Sequence, residues 1–261
     1  RGMLEKDCVK VTLDPKVELQ ALCSKSSELM NTLSKLERRG AEVDFIKKEV
    51  FRPTCAALKE LYSCPSLETV RRDLCAALQF KVKSHKAPGK VKPRVIHAGG
   101  STLYAPLGSW VVARLRPLTR KRFTHILASS DDLEVFLQGL DVEEGDLLAT
   151  ADIESFYPSG DQVQLAVAAA LALEEAGADA SEVSLIHDIV LFVLQHQYVV
   201  CSSDPSTVWR AVGGGGIGVT LSGETADEAL AQFQELLTVL NKTFKFQHGL
   251  KDVVRFRDDY L

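Results

Sequence analysis

Three aspartates carry the chemistry open to this chain. Leu147–Ile153 (Leu-Leu-Ala-Thr-Ala-Asp-Ile) reads as a buried strand with Asp152 near its end, and Val253–Phe256 as a last strand running straight into Asp258-Asp259. A lone acid at the end of a hydrophobic strand is costly to bury, and carboxylates brought to one cleft from separate strands are what a hard cation such as Mg²⁺ takes as ligands. Two such ions, about 3.5–4 Å apart, clamp both oxygens of an in-line phosphoryl transfer. Taken singly, each motif is also explained by Asp as a turn former, so the residues around the acids decide.

Charge is segregated. No acid lies between Asp73 and Asp131, whereas Lys81, Lys83, Lys86, Lys90, Lys92, Arg94, Arg114, Arg116, Arg120, Lys121 and Arg122 all fall there, in a chain whose net charge is −4. Such a block is either a polyanion-binding surface or a solvated basic face.

The elements that must position these groups follow from periodicity and punctuation. Residues 1–80 read as a helical N-terminal extension: Asp14-Pro15 opens one helix, a second runs from Val43 to about Tyr62 with an interruption at Pro53, and a third follows Pro65-Ser66. Phe80–Lys83 and Val91–His97, joined at Ala87–Lys90, form a basic β-hairpin that opens a region spanning 81–146. Helices are expected over Pro106–Leu118, Asp131–Leu140, Gln162–Glu175, Ser181–Gln195 and Ser222–Leu240, the last with Ala226, Leu230, Phe233, Leu237 and Leu240 inward. Tyr198–Ser202 and Thr207–Val212 form a strand pair, and Gly213–Gly216 an ordinary flexible loop; no Gly-Lys-Ser/Thr follows to make it a Walker loop.

Other classes are excluded. The 261 residues, 46% hydrophobic and 25% charged, are ordinary globular material. The most apolar stretch, Val183–Leu194, is interrupted by His187 and Asp188 and falls short of the ~20 residues of a membrane helix, so no membrane partner is expected. Six cysteines without a C-x-x-C read as reduced thiols in an intracellular compartment, nuclear or cytoplasmic. The histidines lie in no arrangement with Cys or Ser that would make a nucleophile.

Four segments together resemble the reverse transcriptases. Ser84–His97 (Ser-His-Lys-Ala-Pro-Gly-Lys-Val-Lys-Pro-Arg-Val-Ile-His) resembles the fingers hairpin, Ala151–Ser159 motif A, Gly218–Asp227 the motif B glycine loop and helix, and Phe256–Tyr260 (Phe-Arg-Asp-Asp-Tyr) the motif C x-Asp-Asp hairpin. Their order is the family's order, the likeness covers roughly 81–261, and the His-Lys…Arg…Ile-His hairpin with Arg255-Phe256 is most similar to the Penelope-like and telomerase-like branch of retroelement enzymes. The resemblance implies an α+β right-hand polymerase: fingers over 81–146, palm over 147–261, and RNA-templated DNA synthesis from dNTP at a DNA primer 3′ end.

It also implies roles. Asp152, Asp258 and Asp259 would be catalytic and, with the Ile153 carbonyl, would hold two Mg²⁺, with Mn²⁺ as a substitute. Lys86 and Arg94, facing each other across the hairpin, would grip the triphosphate, with Lys83 as an alternative to Lys86. Tyr157 would exclude a ribose 2′-hydroxyl, or else be a packed core aromatic. Gly216 and Gly218 would let backbone approach the nucleotide and template. Lys83, Lys90, Lys92 and Arg114 would contact nucleic acid.

The sequence departs from the family pattern at Thr220, in place of the usual motif B proline, at Asp227, and at Arg257, which sets a cation beside the paired acids. The chain stops two residues past Asp259, so a second motif C strand and a thumb are expected to be missing and the fragment to be poorly active. An RNA-directed RNA polymerase shares the palm carboxylates, and a non-catalytic nucleic-acid-binding retroelement remnant would keep the basic block.

Overall fold

The computed structural model describes residues 8–12, 15–34, 46–63, 67–82 and 93–261. In chain order these form β1 (Cys8–Val11), α1 (Pro15–Ser34), a π-helical turn (Ile46–Phe51), α2 (Arg52–Ser63), α3 (Leu67–Leu74), β2 (Cys75–Val82), β3 (Pro93–Ala98), α4 (Ala105–Arg122) and α5 (Ser130–Gln138). There follow β4 (Ala151–Asp152), α6 (Gln162–Glu175), α7 (Ala180–Gln195), β5 (Tyr198–Cys201), β6 (Asp204–Ala211), α8 (Ser222–Phe233), α9 (Lys242–Gln247), β7 (Arg255–Phe256) and β8 (Asp259–Tyr260). The architecture is mixed α and β.

One sheet runs β1-β6-β5-β2-β3, antiparallel except where β2 lies parallel to β5; a small antiparallel sheet runs β4-β8-β7. Strand β1 was not expected, and it pairs Cys8–Val11 with Ala211–Val208. The described helices of the first eighty residues share the main core rather than standing apart. Leu19, Leu22, Leu29 and Leu33 of α1, on one face at helical spacing, pack with Leu58, Leu107, Val111 and Leu115, and with Leu185, Ile186, Ile189 and Val190 of α7. Helix α6 presents Ala166, Ala168, Ala169 and Ala172 as a buried small-residue face against α7. Its start is set by Asp161, whose carboxylate accepts from the Val163 and Gln164 amides; Asp179 does the same for α7.

The interruption expected at Pro53 takes the form of a change of helix type: the π-helical turn Ile46–Phe51 gives way to α2, of which Pro53 is the second residue. Two expectations are corrected. Leu147–Ile153 is not a buried strand: only Ala151–Asp152 pairs, and Leu147 and Leu148 are 94% and 71% exposed. Apolar composition makes a strand only where a partner and a covering layer exist, and none of the described residues covers this stretch. The Ser222–Leu240 helix ends at Phe233 and gives way to a 3₁₀ turn at Glu235–Leu237. Its inward face is polar: Glu224, Asp227 and Glu228 are buried, while Phe233 and Leu237 are exposed.

The core makes a simple stability prediction. Ile189→Ala should cost about 2–5 kcal/mol in urea unfolding, as loss of a fully buried side chain does, whereas Val135→Ala, at an exposed position, should stay within ~0.5 kcal/mol.

Candidate functional site

The acids meet in the small sheet. Strands β7 and β8 form a hairpin closed by Phe256 opposite Asp259, with Arg257-Asp258 as its two-residue turn. Beyond it, Val254 and Leu261 exchange both backbone hydrogen bonds at 2.9 Å. The expectation of an unpaired motif C strand is therefore corrected: Asp259-Tyr260 is paired on both sides, to β7 and to β4. In the β4 register Asp152 lies directly across from Asp259, and the Ile153 N–H donates to the Asp258 carbonyl at 2.8 Å. Directly opposed antiparallel residues have Cβ atoms roughly 4.5–5.5 Å apart and side chains on one face. Two carboxylates from segments over a hundred residues apart thus share a face, with Asp258 half-buried at the turn between them.

These are hard oxygen donors of the kind Mg²⁺ or Mn²⁺ takes, and two on one face suit a shared ion. Among the described residues, however, no three His, Cys, Asp or Glu side chains are gathered tightly enough to hold a metal.

The turn is held by buried charge. Arg257 has φ +56°, a left-handed conformation that costs an L-residue about 1–2 kcal/mol. Its guanidinium bonds Asp227 and, at 3.1 Å, Glu224. The same two acids reach the neighbouring arginines: Asp227 accepts from Arg255 at 2.6 Å, and Glu224 from Arg116 Nε at 3.0 Å. Arg255 is wholly buried and forks onto Glu235 at 2.8 and 3.1 Å, with Phe156 and Tyr260 rings beside it. Glu235 also accepts from the Tyr260 hydroxyl and lies 2.9 Å from His125 Nε2. Gly223 is open for a reason: a Cβ there would lie 2.9 Å from the Arg257 guanidinium carbon. Two of the three departures from the pattern, Asp227 and Arg257, are thus each other's partners.

The glycine run is a locked junction, which corrects the expectation of a flexible loop. The N–H groups of Gly214, Gly215 and Gly216 donate to Gly160 O, Tyr157 O and Gln197 Oε1 at 2.9, 2.8 and 2.7 Å, so all three donors are spent within the protein. Gly214 has φ +51°, and a side chain there would run into the Tyr157-Pro158 backbone. At Gly216 a Cβ would overlap the His97 imidazole, which burial pushes down to about 4 and keeps neutral. Gly218, at φ +101° and exposed, follows the Ile217 carbonyl that accepts from His97 N at 2.7 Å. The loop before α8 is thereby fastened to both β3 and the segment after Asp152.

Tyr157 is half-buried, its ring 5.1 Å from that of buried Phe156. Burial raises its phenol pKa, the nearby Arg257 charge opposes that, and Asp258 adds to it. Its phenol therefore faces the same charges as the turn.

The basic block divides. Lys83, Lys86, Lys90 and Lys92 lie outside the described residues. Arg94 is exposed on β3, and the residue directly across from it is Lys81. On α4 three cations are engaged by protein carboxylates while Arg120 and Lys121 stay exposed: Arg114 bonds Glu182, Arg116 bonds Glu224, and Arg122 bonds Glu228 and Glu175. Arg114 is thus engaged by a protein carboxylate. Sequence reasoning missed the roles of Glu224, Glu228, Glu235 and Arg255. Their signal was acids at helical spacing on a segment facing an acid-free basic helix.

No protein-family model matches the chain, and no curated protein matches it. Among the described residues no helix is long and apolar enough to cross a membrane.

Glu235 makes the ion cluster testable by pH. Burial would raise its pKa, but the hydrogen bonds from His125, Arg255 and Tyr260 together with the Arg255 charge outweigh burial and bring it from 4.5 to about 2. Its stabilising contribution is present in full above pH 4.5 and is lost as pH falls toward 2. Glu235→Gln should lower the melting temperature at pH 7 and flatten the acid limb between those values; an unchanged limb contradicts the assignment.

Proposed function

We propose that this chain comprises the fingers and palm of an RNA-directed DNA polymerase of the retroelement type, adding nucleotides from dNTP to a primer 3′ end on an RNA template. The observation that supports it most is the register that sets Asp152 across from Asp259 beside a turn fastened to α8. Three segments that resemble separate polymerase motifs meet there: the one at 151–159, the one at 218–227 and the one at 256–260.

Asp152 and Asp259, with Asp258 and the Ile153 carbonyl, are the residues that would hold Mg²⁺. The bound ions would acidify the primer hydroxyl and neutralise charge on the departing pyrophosphate. The chain's own residues do the rest. Tyr157, whose carbonyl accepts from Gly215 and whose half-buried phenol senses Arg257 and Asp258, would be the ring that turns away a sugar 2′-hydroxyl. Gly218 would offer its exposed backbone to a nucleotide or template, while the side on which a Cβ would sit is taken by the His97 carbonyl. Arg94 and Lys81, opposed and exposed, supply cations for phosphate, with Lys86, Lys83, Lys90 and Lys92 in the same block.

Primer extension on an RNA template tests the reading. Asp152→Asn and Asp259→Asn should each lower Mg²⁺-dependent extension by on the order of 10³ or more, because the ion supplies several kcal/mol of transition-state stabilisation. Duplex binding should persist in both and weaken steeply with salt. Extension with ribonucleotides alone would favour an RNA polymerase, and salt-sensitive binding without any extension would favour the non-catalytic remnant.

A further inference from the structure

The paired acids belong to two short strands whose register depends on one turn, and that turn carries a residue ill-suited to its backbone. Arg257 sits at φ +56° where glycine would be at ease. What it has that glycine lacks is a guanidinium, and both its terminal nitrogens are used: Nη1 on Asp227 and Nη2 on Glu224, 3.1 Å away. Both acceptors lie on α8, one helical turn apart, and Gly223 leaves the gap through which the side chain passes. Helix α8 is in turn anchored: Glu224 holds Arg116 of α4, and its neighbour Glu228 holds Thr119 and Arg122 of the same helix. A planar two-nitrogen fork on two fixed carboxylates defines an orientation, which a point charge does not.

We propose that Arg257 is a positioning residue: its fork on Glu224 and Asp227 holds the Arg257-Asp258 turn on α8 and so sets the Asp258 carbonyl against the Ile153 amide and Asp259 opposite Asp152. This makes Arg257 a tether for the acids instead of a cation competing with a metal. The tether itself stands on geometry alone; only its consequence for ion binding rests on the metal reading above.

The test separates tether from fold and from metal. In Arg257→Gly/Asp227→Asn the turn keeps a residue suited to positive φ, the net charge of the cluster is unchanged, Glu224 keeps Arg116 as its counter-charge, and Asn retains an oxygen for Arg255. Residue-resolved hydrogen exchange by NMR then reads the Ile153 amide, whose acceptor is Asp258 O, against the Leu127 and Arg255 amides, which bond Arg255 O and His125 O at 2.7 and 2.8 Å. The expected result is at least about tenfold lower protection at Ile153 with the two reference amides unchanged. Arg257→Lys, which keeps the charge but not the fork, should lower Ile153 protection partway.

Wild-type protection at Ile153 in either variant overturns the proposal, as does an Ile153 amide unprotected in the wild-type chain. Terbium luminescence titrated into the same proteins reads the metal. Weaker terbium binding alongside lost Ile153 protection supports the tether and its role in ion binding. Lost Ile153 protection with terbium binding unchanged upholds the tether and contradicts the metal reading alone.

Discussion

Arg255 has no exposed surface, and a guanidinium cannot shed its charge at any pH the protein meets. Everything around it must therefore answer that charge. Glu235 supplies a two-oxygen acceptor, Asp227 a second carboxylate, the Arg257 carbonyl a fourth oxygen, and Phe156 and Tyr260 ring faces cover what remains. Removing one partner from such a group costs about 3–5 kcal/mol, because the other charge is left uncompensated. The constraint thus reaches each segment that supplies a partner: α8, the turn after it, and the hairpin that carries the acids.

The consequence is a helix with its charges inward. Helix α8 buries Glu224, Asp227 and Glu228 because α4 on one side and β7 with its turn on the other present arginines to them. The chain ends its helix at Phe233 so that Glu235, on a separate 3₁₀ turn, can reach Arg255 and His125. Exposed Phe233 and Leu237 are the cost of that geometry. The same cluster draws the Arg257-Asp258 turn toward the segment after Asp152, where the locked glycine run holds the Tyr157 carbonyl.

Much of the fold could be read from local pattern. The limits of α6 coincide with the expected Gln162–Glu175, because capping Asp161 and an apolar face agree. The strands β3, β5 and β6 were recognisable from β-branched residues and turn chemistry, each to within a few residues, whereas β2 begins at Cys75, where the helical pattern was expected to run on to Leu78 and the strand to start at Phe80. What failed did so where tertiary charge overrode periodicity. Apolar spacing in 222–240 pointed Leu237 and Leu240 inward, yet buried carboxylates decide which face turns in. That Asp152 would meet Asp258 or Asp259 was anticipated from the acids at two strand ends, but which of the two stands across from it, and the reach of Arg257 to Asp227, were not, since a chain of letters carries no sign of register or of which cation meets which acid. Likewise β1 was illegible, because four residues become a strand only through the edge of β6.

The central claim is that this buried charge exists to present Asp152 and Asp259 to a divalent cation. Crystals of the wild-type chain grown with Mn²⁺, with data collected at the manganese absorption edge, test it most directly. The account predicts an anomalous peak within coordination reach, about 2.0–2.4 Å, of carboxylate oxygens from both Asp152 and Asp259, absent in Asp259→Asn. A peak elsewhere, or well-ordered carboxylates at both positions with no peak at saturating Mn²⁺, would contradict it.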